Sequence, residues 1–72
     1  MRVEYYAETD SLYIDLSEKP SKESLEVVPG VVIDFDENNH IVGIDVDSAS
    51  KILNLSRFEI LDFPSKKMVL SP

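Results

Sequence analysis

Short runs of alternating apolar and polar residues fill the first two thirds of the chain. Val3 and Tyr5 alternate with Arg2, Glu4 and Tyr6, and Leu12, Ile14 and Leu16 alternate with Tyr13 and Asp15. Leu25 and Val27 alternate with Ser24 and Glu26. Val31, Ile33 and Phe35 alternate with Val32, Asp34 and Asp36, and Val42, Ile44 and Val46 with Ile41, Gly43 and Asp45. A period of two places every second side chain on one face of an extended chain. The five segments therefore predict antiparallel strands that share one dry face. Their Val, Ile, Tyr and Phe suit a pleated, half-buried surface.

Parity tests the hairpins, because residues directly opposite on paired strands share a face. Tyr5 opposite Leu12 leaves a loop at residues 7–10, where Asp10 and Ser11 suit a turn. Ile33 opposite Ile44, with Phe35 opposite Val42, leaves Asn38-Asn39 as a two-residue type I′ turn, whose positive φ angles asparagine tolerates. Pro29-Gly30 reads as a type II turn. A strict two-residue loop there turns Leu25 and Val27 to the wet face, so a three-residue loop or a bulge at Gly30 is expected. Residues 17–23 are polar, contain Pro20 and predict an exposed loop.

Beyond the fifth strand the period changes. Ser48 is positioned to cap a helix whose Ala49, Ile52 and Leu53 form a narrow apolar stripe able to close over the sheet. Ser56-Arg57-Phe58-Glu59 reads as a capping box for a second short helix through about Leu61. A strand at 57–62 fits as well, since Phe58 and Ile60 alternate, and Pro64 ends either element before a mobile tail. The predicted fold is α+β: a mainly antiparallel five-stranded sheet, a sequential meander by default, with a short C-terminal helix packed on one face. Residues 1–56 form the domain and 57–72 a C-terminal extension.

Composition narrows the function. A chain of 72 residues holds one domain and is too small for a Rossmann or TIM-barrel fold. No apolar run reaches the roughly 20 residues of a membrane helix, and no signal-peptide pattern opens the chain. Without cysteine, disulfides, thiolate metal sites and a Cys nucleophile are excluded. A soluble cytoplasmic protein with no membrane partner is expected. The net charge is −7, unevenly spread: residues 1–47 carry −9 and residues 48–72 carry +2. An acidic body with no Lys/Arg stripe repels phosphate, so no nucleic-acid partner is expected. Acidity favours basic partners and, more simply, solubility.

Few residues can carry chemistry. His40 is the single histidine and lies beside a turn, where a solvated role outweighs a catalytic one. The serines lack a Gly-x-Ser-x-Gly setting, and Gly30 and Gly43 alone make no phosphate loop. Asp34, Asp36 and Asn38 stand at the first, third and fifth positions of an EF-hand-like loop, with Asp45 at the twelfth. Asn39 replaces the turn glycine, however, and Asp45 is too short for the usual bidentate Glu. With Asp34 opposite Gly43 and Asp36 opposite Ile41, the carboxylates fan along the wet face, and solvated acids are the simpler reading. No catalytic residue, cofactor or metal is assigned. Tyr6 and Tyr13 fall on the wet face near Val32 and Ile41, where an apolar patch suits an interface, and Phe58 is a further interface candidate.

Residues Tyr5–Leu16 (YYAETDSLYIDL), Pro29–Asp36 (PGVVIDFD), Val42–Ile44 and Ala49-Ser50-Lys51 resemble a widespread small prokaryotic family of unknown function. The resemblance covers roughly residues 1–53, in order and spacing, and ends where residues 57–72 begin. It implies a compact α+β domain and brings no established activity or catalytic residue. Some members look like neighbours of small toxin-like genes, which implies an antitoxin role. The expected function is a non-enzymatic protein-interaction module acting as a homodimer, because area-minus-entropy bookkeeping for so short a chain comes out near zero and self-association is a common remedy. The alternatives are an antitoxin-like inhibitor of a small basic toxin or nuclease, and a metal-dependent enzyme using Asp34, Asp36 and His40.

Overall fold

A computed structural model describes residues 1–71; Pro72, the end of the expected tail, lies outside the described residues. The elements are β1 (Arg2–Tyr6), β2 (Ser11–Asp15), β3 (Glu23–Val28), β4 (Val31–Phe35), β5 (Ile41–Val46) and α1 (Ala49–Ile52). All neighbouring strands pair antiparallel in one five-stranded sheet, giving the predicted α+β class.

The strand order is β1-β2-β5-β4-β3, which corrects the sequential meander. The sheet is a β1–β2 hairpin joined to a β3–β4–β5 meander through β2 and β5. That junction sets Leu12 opposite Val46 and Ile14 opposite Ile44, so apolar pairs meet where the sheet is most covered. The polar segment 16–22 carries the chain from β2 to the far edge. It is tied down by the Leu16 N–H to the Val42 carbonyl (2.9 Å) and the Lys22 N–H to the Phe35 carbonyl (2.7 Å). β3 suits an edge: every residue in it is exposed, its pairing is interrupted by a bulge, and Pro29 follows it.

The β1–β2 hairpin keeps the predicted register, with Tyr5 opposite Leu12, and the β4–β5 pair keeps it at Ile33 opposite Ile44. The expected irregularity between β3 and β4 is present but lies inside β3 at Val27, not at Gly30, and it leaves Val27 without a partner in the ladder. Val28 pairs with Val31 across Pro29-Gly30, the register shifts between Glu26 and Val28, and Leu25 returns to the dry face opposite Ile33. Gly30 has φ +85°, as the third residue of a type II turn requires. The β4–β5 connection corrects the sequence reading. Phe35 pairs with Ile41 rather than Val42, and of the two asparagines only Asn39 has positive φ (66°). The Asn39 N–H bonds the Asp36 carbonyl (3.0 Å), and the Asp36 N–H bonds the His40 carbonyl (2.9 Å). This is a three-residue loop, 37–39, closed by one left-handed residue. Asp36 therefore faces His40, not Ile41.

The helix is a single turn, and Ser48 does not cap it. Ser48 is left-handed (φ 50°, ψ 45°) and makes no side-chain cap. Segment 47–50 instead threads between two turns: the Asp47 N–H bonds the Gly30 carbonyl and the Ala49 N–H bonds the Asp10 carbonyl, both at 2.8 Å. Ala49 is fully buried there. Neither the second helix nor the sixth strand forms, and residues 53–71 carry no regular secondary structure. Among the described residues, no helix is long and apolar enough to cross a membrane.

Candidate functional site

The dry face gathers, strand by strand, Val3 and Tyr5, Leu12 and Ile14, Val42, Ile44 and Val46, Val31 and Ile33, and Leu25. Little covers it. Among the described residues only Val42, Val46 and Ala49 are buried apolar residues; Leu12, Ile14, Ile33 and Ile44 are half-buried, and Val3, Tyr5 and Leu25 at the two edges are 43, 45 and 57% exposed. The expected roof is partial. Ile52 reaches the Gly30 turn through its Cδ1, but it remains 49% exposed and Leu53 remains 37% exposed. A one-turn helix reaches one end of five strands and no more. The protein exposes 6167 Å², about 1,700 Å² more than the roughly 4,500 Å² of a compact monomer of its 8.1 kDa mass.

The opposite face is acidic and tied together by side chains. One row across it reads Glu4, Tyr13, Asp45, Val32 and Glu26, and the next reads Arg2, Asp15, Gly43, Asp34 and Ser24. The Tyr13 hydroxyl donates to Asp34 Oδ2 (3.0 Å), and the Ser24 hydroxyl donates to Asp34 Oδ1 (2.6 Å). Gly43 makes the first bond possible, since a Cβ there would lie 2.7 Å from Tyr13 Cζ and collide with its hydroxyl. Burial, then the Asp34 carboxylate, pushes the Tyr13 phenol above its usual range. Burial, then the charges of Asp47 and Asp34, raises Asp45 as well.

The third feature is a clamp at the end of the sheet. Asp10, held at φ 52°, accepts the Tyr5 hydroxyl at Oδ1 (2.7 Å) and the Ser50 hydroxyl at Oδ2 (2.7 Å). The Ser50 N–H reaches both carboxylate oxygens, at 3.1 and 3.3 Å. Asp10 thus does for α1 what Ser48 was expected to do. The donors, Ser50 first and then Tyr5, hold its carboxyl below the usual range. Sequence reasoning placed Asp10 in a turn and missed the contact. The signal that pointed to it is that Tyr5, Asp10 and Ala49-Ser50 all stand in the pattern that carries the family resemblance.

The metal candidates are engaged separately. Asp34 holds Tyr13 and Ser24, and Asp45 stands in the neighbouring row of the wet face. Asp36, 6% exposed, turns its Oδ1 onto the Asn38 and His40 amides at 2.8 and 2.9 Å. Those amides, His40's first, lower its carboxyl. His40 is solvated as expected, 73% exposed, with Nδ1 3.7 Å from Asp36 Oδ2. Among the described residues, no group of three or more His, Asp or Glu converges as a metal site. The interface candidates do not form one patch. Tyr6 pairs with Ser11 at one end of the sheet and Ile41 with Phe35 at the other, with the acidic rows between them. Tyr13 is occupied over Gly43, Val32 is half-buried, and Phe58 lies outside the sheet, 68% exposed.

The chain is 34% identical over 61 residues to the uncharacterized protein MJ0789 of Methanocaldococcus jannaschii. The aligned part is 85% of this chain and 52% of that relative, so the chain spans about half of its length. No solved structure matches the chain. The family model described as "Protein of unknown function (DUF2283)" matches residues 2–50, from β1 to the Ser50 that closes the clamp, and the chain belongs to that family.

Proposed function

We propose that the protein is a non-enzymatic interaction module that works as a homodimer through the dry face of its sheet. The observation that carries this is the open apolar face: Val3, Tyr5 and Leu25 lie exposed on a sheet whose own helix covers only one end. Val3 and Tyr5 lie on one edge strand and Leu25 on the other, with half-buried Leu12, Ile14, Ile44 and Ile33 between them, and an apolar face left this open marks an interaction site. The surplus of about 1,700 Å² per chain is shared between this face and the unpacked residues 53–71, so burying both in a pair would remove about 3,400 Å², within the range of obligate homodimer interfaces. Light scattering at micromolar concentration is expected to give twice the chain mass, and a strict monomer overturns the reading.

A second reading draws on the other face. Glu4, Asp15, Asp34, Asp45 and Glu26 share it, and burial and like charge already raise Asp45. Such a surface suits a small basic protein, as an antitoxin-like inhibitor requires. Co-expression with the neighbouring open reading frame tests it, and failure to co-purify at low salt argues against it.

A further inference from the structure

Residues 54–71 hold a second set of apolar side chains, the largest of which stay exposed. Phe58, Leu61 and Phe63 are 68, 77 and 48% exposed, in a segment with no regular secondary structure. A segment this apolar gains by burial, and the open surface of matching chemistry is the dry face. We infer that this segment is an exchange arm: in the dimer it lies across the dry face of the second copy, and the second copy's arm lies across the first. The inference rests on the homodimer reading and names what fills the interface.

Three observations support it. The first is reach. Residues 54–63 in extended form span about 33 Å, whereas four strand spacings amount to roughly 19 Å, so the arm can cross all five strands. The second is charge. Residues 54–72 carry +1 (Arg57, Lys66 and Lys67 against Glu59 and Asp62) and the acidic rows lie on the other face of the sheet, so an arm on the dry face adds no like-charge repulsion to a contact between two acidic bodies. The third is area. The surplus exposed surface belongs to two parts, an uncovered sheet face and an unpacked arm, and one contact removes both from water. Lying on its own sheet would satisfy the same chemistry, but here the arm leaves Phe58 and Leu61 in water and Leu25 uncovered.

The test is complementation between full-length variants. Phe58→Asp with Phe63→Asp spoils the arm, and Val3→Glu with Leu25→Glu spoils the face. All four positions are exposed, two on edge strands and two outside the sheet, so the fold tolerates them, and far-UV circular dichroism checks this. Sedimentation equilibrium is expected to show each variant alone dissociating at a concentration at least about tenfold above that of the unaltered protein. An equimolar mixture is expected to recover dimer, because the intact arm of one variant meets the intact face of the other. If the arm variant alone dimerises like the unaltered protein, the arm inference falls and the homodimer reading stands. The inference also falls if both variants are monomeric and their mixture stays monomeric. If the unaltered protein is monomeric at every concentration, whether the arm folds back or the face takes another partner, both fall.

Discussion

Asp10 and Ser50 stand 40 residues apart and are joined through both the amide and the hydroxyl of Ser50. The turn after β1 therefore fixes the start of α1, and the residue that precedes the helix, Ser48, plays no part in capping it. Exchanging the two roles gives a direct check. Asp10→Ala removes an acceptor that Tyr5 and Ser50 share, and because both it and Ser48→Ala put alanine at a left-handed position, the difference between them reads the lost cap. Its melting temperature is expected to fall by roughly 5 °C. Ser48→Ala is expected to leave it unchanged or slightly lower, since the left-handed backbone at that position disfavours alanine. Equal losses in the two variants would contradict the clamp.

Gly43 offers a second check, on the wet face. Gly43→Ala puts a methyl where the Tyr13 ring lies, and the ring must swing off Asp34. A lost side-chain hydrogen bond and lost packing together are expected to cost about 1–2 kcal/mol in urea unfolding. The Tyr13 phenol, held high by burial and by Asp34, is expected to return toward 10.0 in a spectrophotometric titration. An unchanged titration would mean that the ring had kept its place.

How far the sequence alone carried the fold depends on distance along the chain. All five strands, the Tyr5–Leu12 and Ile33–Ile44 registers and the Pro29-Gly30 turn were legible, because alternation and turn chemistry are local. The pairing of β2 with β5 was not, since parity fits many partners and only packing chooses among them. Ser48 has the right side chain for a cap, but its backbone is left-handed, and no sequence pattern reveals that an aspartate 38 residues earlier takes its place. The sidedness of the sheet was legible. That its roof would be one turn long was not, because Ile52 and Leu53 keep helical spacing while Leu53 has already turned extended. Of the site, the openness of the dry face came only from the structure.

The carboxylates divide into two groups with opposite effects on stability. Asp10 and Asp36 have lowered folded values, so the stability they contribute is present above the unfolded value of 3.8 and is lost as pH falls through the folded values. Asp45 is raised, so between 3.8 and its folded value stability falls as pH rises, and its charge then weighs against folding at neutral pH. Asp45→Asn is therefore expected to melt a few degrees higher at pH 7. The gain should vanish near pH 3, where Asp45 is largely protonated in both states. A variant no more stable than the unaltered protein at pH 7 would remove the argument from burial and like charge.

The β4–β5 loop separates its two asparagines by backbone alone. Asn39 holds φ 66°, a conformation that glycine adopts without the steric cost other residues bear, while Asn38 has negative φ. Asn39→Gly is expected to stabilise the protein by about 0.5–1 kcal/mol: relief of the left-handed strain outweighs the added freedom of the unfolded chain. Asn38→Gly brings only that added freedom and is expected to cost about 0.5 kcal/mol. Its amide is also held by Asp36 Oδ1 at 2.8 Å, and a looser backbone weakens that bond. A two-residue type I′ turn, by contrast, requires positive φ at both positions and would make the two substitutions alike. Parallel denaturant curves for the pair thus decide between the turn expected from the sequence and the three-residue loop in the structure. Opposite signs support the loop, and matching gains would restore the shorter turn.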